Sequence, residues 1–588
     1  MGELDIAALK ERYALERAKR LRPDGNDQYV RIEGRLAHYL DDPYVPLVER
    51  EPRTDHVTVA CVGGGFAGLL TAARLKEAGV EDVRVVDKAG DFGGTWYWNR
   101  YPGAMCDTAS FVYMPLLEET GHMPTEKYAH APEILEHCRR IGQQFDLYRD
   151  ALFHTEVTEL VWDDDERRWT VHTNRGDRFT AQFVTLGTGP LHVPKLPGIE
   201  GIESFEGHSF HTSRWDYAYT GGDAEGAAMD GLADKRVALI GTGATSVQCV
   251  PPLAAACREL YVFQRTPSSV DERGNRETDP EWFKEMATEG WQRRWMENFA
   301  ACQTGRMPDE DLVMDGWTDL AKRIRARIAA LPPGELTPEA MLAAYEDADF
   351  EKMEEIRARV DAIVTDREAA ANLKAWYRQL CKRPCFHDEY LEAFNVEGCH
   401  LVDTDGKGVE RVVPTGVVVA GTTYEVDCII YATGFEVGTS YTRRAGFDVV
   451  GRDGLRLSEH WSGGMRSLHG IHTHGFPNAF FVQLTQGANL LSNVPHNLAE
   501  SAITVAAVVR HALDGDHDTV EVTAEAEDAW MDLLRSGISF LGTSDCTPGY
   551  YNNEGQPDAA DRDGWRGYPM GAVAYFEFID GWRRAGTF

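Results

Sequence analysis

The sequence predicts an α/β chain built on two Rossmann-like dinucleotide-binding domains, with a helical insertion in the second and an extension at the N-terminus. Three observations predict it. An apolar run of strand length at 57–62 meets a glycine cluster and then a helical pattern, and the same arrangement returns at 237–257. In both places the first glycine lies 24 positions before the polar residue that closes the next strand, Gly63 before Asp87 and Gly241 before Arg265. Between 271 and 377 the composition shifts to charged, tryptophan-bearing helical segments, as an insertion would.

Taken in order, residues 1–55 are a polar preamble: a helix over 7–20, then an extended linker through Pro43, Pro46 and Pro52, best read as an arm packing on the main body. The first unit gives a strand at 57–62, a helix at 67–78 and a strand at 83–87; a later strand at 183–186 closes on Gly187-Thr188-Gly189. Residues 219–234, rich in Gly, Ala and Asp, read as a surface loop. The second unit gives a strand at 237–240, a helix at 244–257 and a strand at 260–265, and the insertion carries helices at 281–296 and 338–364. Strands return at 416–420 and 424–431. The expected division is an N-terminal extension at 1–55, a first nucleotide domain from 56–190 and 427–588, a second from 191–270 and 378–426, and the insertion at 271–377.

The size and balance of the chain fit this plan. At 588 residues it is several times one core, and 43% hydrophobic residues leave ample interior. With 60 Lys+Arg against 94 Asp+Glu the formal charge is −34, so phosphate backbones and anionic lipid are repelled, and neither nucleic acid nor membrane is expected as a partner. No apolar run of about eighteen residues occurs, and the first residues lack the apolar core of a signal peptide, so a cytoplasmic protein is expected. The eleven cysteines include no CxxC pair, and Cys381 and Cys385 stand four apart; free thiols and no metal site are the expectation.

Each glycine cluster carries its own chemistry. In Gly63-Gly64-Gly65-Phe66-Ala67-Gly68 the first glycine permits the turn and Gly65 lets backbone approach a pyrophosphate. Gly68 lets the helix opened by Phe66 pack on the strand. Asp87, followed by Lys88, can accept hydrogen bonds from ribose hydroxyls. The second cluster, Gly241-Thr242-Gly243-Ala244-Thr245-Ser246, has a small serine where the third glycine stood. Arg265 and Thr266 replace the carboxylate, and a guanidinium with a hydroxyl suits a 2′-phosphate. The first site is therefore read as FAD and the second as NADPH. The apolar strand of Asp427–Phe435, ending in Ala432-Thr433-Gly434, is read as part of the FAD side. Two such sites imply electron transfer from nicotinamide to flavin. A dithiol reductase would need paired cysteines beside the flavin, which leaves flavin reductases and flavin monooxygenases.

Phe205-Glu-Gly207-His-Ser-Phe-His211-Thr-Ser-Arg-Trp215-Asp216 matches FxGxxxHxxxWD, and on it the chain resembles the Baeyer–Villiger monooxygenases. The related N- and S-oxygenating enzymes usually place Tyr or Phe where Trp215 stands. The segment holding Gly94, Thr95, Trp96, Trp98 and Tyr101 resembles that family's flavin-side loop, with Trp98 lining the flavin face, and the similarity runs from about residue 56 to the C-terminus. The long N-terminal arm and the stretch Cys546-Thr-Pro-Gly-Tyr-Tyr-Asn-Asn-Glu-Gly555 resemble a branch that oxidises large cyclic ketones, including terpenoid ketones of pentalenolactone-type antibiotic pathways.

The resemblance implies the reaction of a small-molecule ketone with O2 and NADPH to give an ester or lactone. It implies catalytic roles for Arg383, in Cys381-Lys382-Arg383-Pro384, and for its carboxylate partner Asp107, with Lys382 toward the nucleotide phosphate. His211 and Trp215, in a linker, would couple cofactor binding to domain motion. Two places depart from the family pattern. Gly549-Tyr550-Tyr551 stands where many members carry a tryptophan, and Leu484-Thr485-Gln486-Gly487-Ala488-Asn489 replaces a Gly-Pro segment. Rival readings are an N- or S-oxygenating flavin monooxygenase and a non-catalytic nucleotide-binding regulator.

Overall fold

His56–Val62 is buried along nearly its whole length and pairs in parallel with Val83–Val86 on one side and Arg178–Leu186 on the other. That is the pairing expected of an apolar strand covered on both faces. In the computed structural model, which describes all residues except 1–3, 304, 305, 307, 333, 489–492, 538–542, 544, 557–561 and 587, these strands form one side of a seven-stranded sheet, with Val83–Val86 at its edge. Arg168–Thr173, Val157–Asp163 and Asp448–Val450 continue it outward, and Ala479–Phe481 pairs with the far end of Arg178–Leu186. Helix Phe66–Glu77 covers one face and is covered in turn by Val494–Asp514, through Leu69, Leu70 and Ala73 against Leu498, Ala502 and Val505.

The second sheet has five strands, all parallel, in the order Cys399–Asp403, Glu259–Gln264, Arg236–Ile240, Cys428–Tyr431 and His208–His211. Its strands all come from one stretch of chain, nested between those of the first sheet. The insertion is helical as expected, with Trp291–Gln303, Gly316–Ala329 and the long Pro338–Ile363 as its main elements. One buried apolar cluster runs through the whole, joining Trp96 and Tyr101 of the first unit to Val237 and Leu253 of the second and Trp295 and Phe299 of the insertion. No helix among the described residues is long and apolar enough to cross a membrane.

The N-terminal arm is fixed at several points. Helix Ile6–Arg20 is capped by Asp5, and Arg17 Nε donates to the carbonyl of Cys546 at 3.1 Å. Tyr29–Val30 pairs antiparallel with Leu196–Pro197, and the Trp215 backbone N–H donates to Tyr44 Oη at 3.0 Å.

Four sequence expectations need correction. The strand within Asp427–Phe435, assigned to the FAD side and to the domain part starting at 427, lies in the second sheet, where Cys428 stands beside Val237 and His208. Asp427 locks that register, its Oδ2 accepting from the Arg236 N–H at 2.8 Å. An apolar run ending in small residues suits either sheet, so the sequence pattern did not distinguish them. The run at 424–431 is two strands: Thr422–Glu425 belongs to a small antiparallel meander with Arg411–Val413 and Gly416–Val419. The helix expected over 281–296 is broken into Pro280–Met286 and Trp291–Gln303, with Gly290 in the left-handed region at φ +73°. Finally, Cys381 and Cys546 are joined by a disulfide across 165 residues.

That bond fixes the thiol count. Denatured, unreduced protein should titrate nine thiols, from Cys61 to Cys428, of the eleven cysteines, and all eleven after reduction. Eleven thiols before reduction would rule the bond out.

Candidate functional site

The first glycine loop is packed backbone against backbone. A Cβ on Gly63, at φ +108°, would come within 2.3 Å of the Gly187 carbonyl, so the turn that closes Arg178–Leu186 passes directly beneath it. A Cβ on Gly68 would meet the Gly63 carbonyl at 1.8 Å, and one on Gly94 would meet Gly65 Cα at 2.6 Å. Helix Phe66–Glu77 starts on Gly65 with no side-chain cap and no acidic residue in its first turn. The N–H groups of that turn therefore remain for an anion. Asp87 is buried, and its oxygens accept from the backbone N–H of Gly64 and from that of Ala89 at 2.7 Å. Burial raises its pKa against the pull of these two donors. Each oxygen keeps a second lone pair for a ribose hydroxyl.

Beside this loop, Thr95 begins the short helix Thr95–Trp98, and Trp96 Nε1 donates to Tyr113 Oη at 3.1 Å. Trp98, expected on the flavin face, is 3% exposed. The Arg214 guanidinium sits 3.7 Å from its ring centroid and Lys88 Nζ at 5.8 Å. Burial pushes Lys88 down to about 8, with Arg214 adding to the shift. Tyr101 crosses to the second unit: its hydroxyl donates to Gln248 Oε1 at 2.8 Å, it shares a hydrogen bond with Thr245, and Gln248 Nε2 donates to the Met105 carbonyl at 2.8 Å.

The second glycine loop repeats the first with one change. A Cβ on Gly241, at φ +113°, would meet the Ala432 carbonyl at 2.4 Å, so Ala432-Thr433-Gly434 stands to this loop as Gly187-Thr188-Gly189 stands to the other. Helix Ala244–Ala256 also begins on a glycine, Gly243, with neither a side-chain cap nor an early carboxylate. A Cβ on Gly243 would meet no atom within 4 Å, which leaves that backbone open to a ligand. Ser246 fits where a glycine was needed before because its hydroxyl donates to the Gly241 carbonyl at 2.7 Å. Both loops thus fit a dinucleotide.

Past the second strand, Arg265 Nη1 donates to Gln28 Oε1 at 2.6 Å and Nη2 lies 3.5 Å from Glu554 Oε2. Thr266 Oγ1 accepts from Arg20 Nε at 3.1 Å. Lys382 Nζ donates to the Pro548 carbonyl at 2.8 Å; burial pushes this lysine down to about 8, with Arg265 and Arg20 lowering it further against the pull of Glu554.

Arg383 and Asp107 meet, 276 residues apart in sequence, with Nη2 donating to Oδ1 at 2.5 Å. The Asp107 side chain is 7% accessible and that of Arg383 41%, so the carboxylate is enclosed while the guanidinium keeps an open side. Burial works against the arginine's charge, but Asp107, Tyr551 and Tyr550 outweigh it and the pKa is raised. Trp317 completes the group: its Nε1 donates to the Asp107 carbonyl at 2.8 Å and its ring lies 5.3 Å from the guanidinium carbon.

The FxGxxxHxxxWD segment, expected in a linker, supplies the outermost strand of the second sheet, His208–His211. His211 is fully buried, hydrogen-bonded to Ser213, and pushed down to about 3 by burial and by Arg214, so it is neutral at ordinary pH. Trp215 Nε1 donates to Thr220 Oγ1 at 3.1 Å, and its ring packs edge-on to Phe210. Neither side chain reaches Arg383 or Asp107 by any contact described. Sequence reasoning missed Arg20, Arg214, Trp317 and Glu554. The Asp315 cap marks where the Trp317 helix starts, but nothing local points it at residue 107. Asn489, part of the segment that departs from the family pattern, lies outside the described residues.

Comparison with known proteins agrees with this geometry. Residues 60–223 match the family described as pyridine nucleotide-disulphide oxidoreductase. The chain is 50% identical to neopentalenolactone D synthase of Streptomyces avermitilis, covering 99% of this chain and 98% of the relative. It is 48% identical to a Baeyer-Villiger monooxygenase of Streptomyces coelicolor, covering 98% and 95%. Among solved structures, the polycyclic ketone monooxygenase from Thermothelomyces thermophila superposes with a TM-score of 0.91 at 40% identity, covering 99% of this chain and 98% of that one. OTEMO in complex with FAD and NADP superposes with a TM-score of 0.72 at 27% identity, covering 90% and 98%.

The contrast between the loops can be tested directly. Gly68→Ser should yield protein largely free of FAD, because even its Cβ lacks room. Ser246→Gly, losing one hydrogen bond worth about 1 kcal/mol, should keep both nucleotides. The flavin-to-protein absorbance ratio and an NADPH titration check this; a fully flavin-loaded Gly68→Ser variant would contradict the packing.

Proposed function

This chain belongs to the Baeyer–Villiger monooxygenase family, and on that premise we propose that its own substrate is a fused-ring terpenoid ketone oxidised to a lactone in a pentalenolactone-type antibiotic pathway. The enzyme is an FAD- and NADPH-dependent flavin monooxygenase that inserts one atom of O2 beside a ketone carbonyl, giving an ester or lactone. The observation behind the substrate reading is a cavity of about 480 Å3 whose wall is mixed, with Tyr441, Leu457, Trp461 and Trp565 beside Arg443, Arg444 and several hydroxyl-bearing residues. Its size suits a rigid ligand larger than a single ring, with the apolar side chains facing a hydrocarbon skeleton and the polar ones its oxygens. Trp565 packs near Tyr550 and Tyr551, at 6.5 and 6.0 Å between ring centroids, and both tyrosines bear on the charge of Arg383. One layer of side chains thus links the cavity to the guanidinium. The 50% identity to neopentalenolactone D synthase supports the pathway. We place the work in the cytoplasm, where NADPH is available.

In this reading FAD held by the first glycine loop would supply the oxygen-activating chemistry after reduction by NADPH, and the chain's own residues bind, orient and stabilise charge. Arg383 offers fixed positive charge to the negative charge that builds on the ketone oxygen. Asp107, with Trp317 holding its backbone, positions that guanidinium. The N–H groups at the start of Phe66–Glu77 and Ala244–Ala256 take the two pyrophosphates, and Asp87 takes a ribose. Arg265, Thr266 and Lys382 receive the 2′-phosphate, with Arg20 behind them.

Incubation with NADPH and paired ketone and sulfide substrates, tricyclic sesquiterpenoid ketones among them, should give a product one oxygen heavier from the ketone. Sulfoxide without lactone would refute the reading. Arg383→Ala should lower the rate of lactone formation by at least about a hundredfold, with Asp107→Ala milder because the cation stays but is poorly placed. Lactone formation at the wild-type rate by Arg383→Ala would remove it from the catalytic centre. Arg265→Ala should weaken NADPH binding by about 1.5–3 kcal/mol and NADH little; equal loss for both would mark Arg265 as structural.

A further inference from the structure

Where the second unit's cleft opens, the N-terminal arm and the segment after Cys546 meet and draw several cations together. Arg20, the last residue of Ile6–Arg20, donates from Nε to the Arg265 carbonyl and to Thr266 Oγ1, both at 3.1 Å, and its charge is paired with Glu16 at 2.7 Å. Lys195 Nζ donates to Asn26 Oδ1 at 3.1 Å and lies 3.8 Å above the ring of Tyr29. Arg265 and Lys382 complete the group, and the carboxylate set among them is Glu554. It is 4% exposed, it accepts from Tyr29 Oη at 3.1 Å, and it faces Arg265 at 3.5 Å. Its charge also acts on Lys382 and Lys195.

Glu554 reaches this place at a conformational cost. Asn553 and Glu554 both adopt left-handed backbone, at φ +50° and +56°, which a glutamate seldom does. Contacts hold the segment there: Asn552 Oδ1 accepts from the Gly549 and Gly555 N–H groups, and Gln556 Nε2 donates to the Pro23 carbonyl. A buried carboxylate in a strained turn, facing Arg265 and acting on the charge of Lys382, is the arrangement of a resident counter-ion.

We propose that Glu554 is an internal stand-in for the 2′-phosphate of NADPH: its carboxylate neutralises Arg265 and Lys382 until the nucleotide phosphate displaces it. The inference rests on the reading that this cleft receives the 2′-phosphate. Glu554 then sets the strength and selectivity of nucleotide binding. Each binding event exchanges a carboxylate for a phosphate, whereas a nucleotide without the phosphate has nothing to displace it with. The turn at 552–555 moves out as the phosphate enters.

The probe is 2′,5′-ADP, with 5′-AMP as the control lacking the 2′-phosphate, titrated into the FAD-loaded full chain. Glu554→Gln should bind 2′,5′-ADP about tenfold more tightly than the wild type, a free-energy gain of about 1.4 kcal/mol, with 5′-AMP unchanged. In the wild type, hydrogen exchange across 550–556 should quicken on adding 2′,5′-ADP and not on adding 5′-AMP. Unchanged or weaker 2′,5′-ADP binding by Glu554→Gln, or undiminished protection of 550–556, overturns the inference. Arg265→Ala separates the two readings: if it leaves 2′,5′-ADP binding unchanged, the phosphate site itself is misplaced. If it weakens binding while Glu554→Gln fails to strengthen it, only the stand-in role falls.

Discussion

A guanidinium that must stay charged and aimed beside a reacting carbonyl has to be held by groups that cannot move independently, and the Asp107–Arg383 pair ties three parts of the chain together for that purpose. Asp107 comes from the loop after the first glycine motif, Arg383 from the point where the chain returns from the insertion, and Trp317 from a helix inside it. The carboxylate is enclosed, so removing Arg383 would leave an unpaired buried charge, which is far costlier than losing a surface contact. The insertion is therefore part of the proposed centre and not a peripheral ornament. Tyr101 and Gln248 pin the Asp107 loop to the helix that begins the second nucleotide site, so the geometry at Arg383 and that at the second site are mechanically joined.

The two nucleotide units show one backbone solution carrying different chemistry. In each, a glycine with positive φ rests on the carbonyl of a neighbouring strand's closing turn, and a helix begins without a cap of its own. The difference lies 24 residues on, where Asp87 binds back to its own loop while Arg265 turns outward to partners from both ends of the chain. The small change from Gly68 to Ser246 follows the same logic: the serine is tolerated because its hydroxyl satisfies a carbonyl that a methyl group would only crowd.

Much of this was legible in the sequence, and what was not has a physical reason. The glycine motifs, the strands beside them and the insertion's helical character could be read, because each depends on local period and spacing, whereas the Asp107–Arg383 pair was implied only by the family resemblance. The strand at Cys428–Tyr431 was misplaced because burial pattern says that a strand is central without saying in which sheet. The cation packed on Trp98, Arg214, lies 116 positions later and could not be read from the sequence around the tryptophan. Arg20, Trp317, Glu554 and the Cys381–Cys546 bond share that difficulty. Each acts on a partner more than 150 residues away, with no periodic pattern to announce it.

The nesting of one sheet within the other has a consequence for the order in which the molecule can assemble. The five strands of the second sheet span 208 to 431 and are complete once that stretch exists. The first sheet opens at His56 but needs Asp448–Val450 and Ala479–Phe481, so the unit that begins first finishes last. During synthesis the inner unit can settle while the outer one waits with an unpaired edge, and pairings so distant in sequence are slow to find. The flavin loop, though encoded near the start, reaches its final surroundings only when nearly the whole chain has emerged. Binding of FAD is then a late event of folding, and a chain cut short before residue 479 would hold the motif without the pocket.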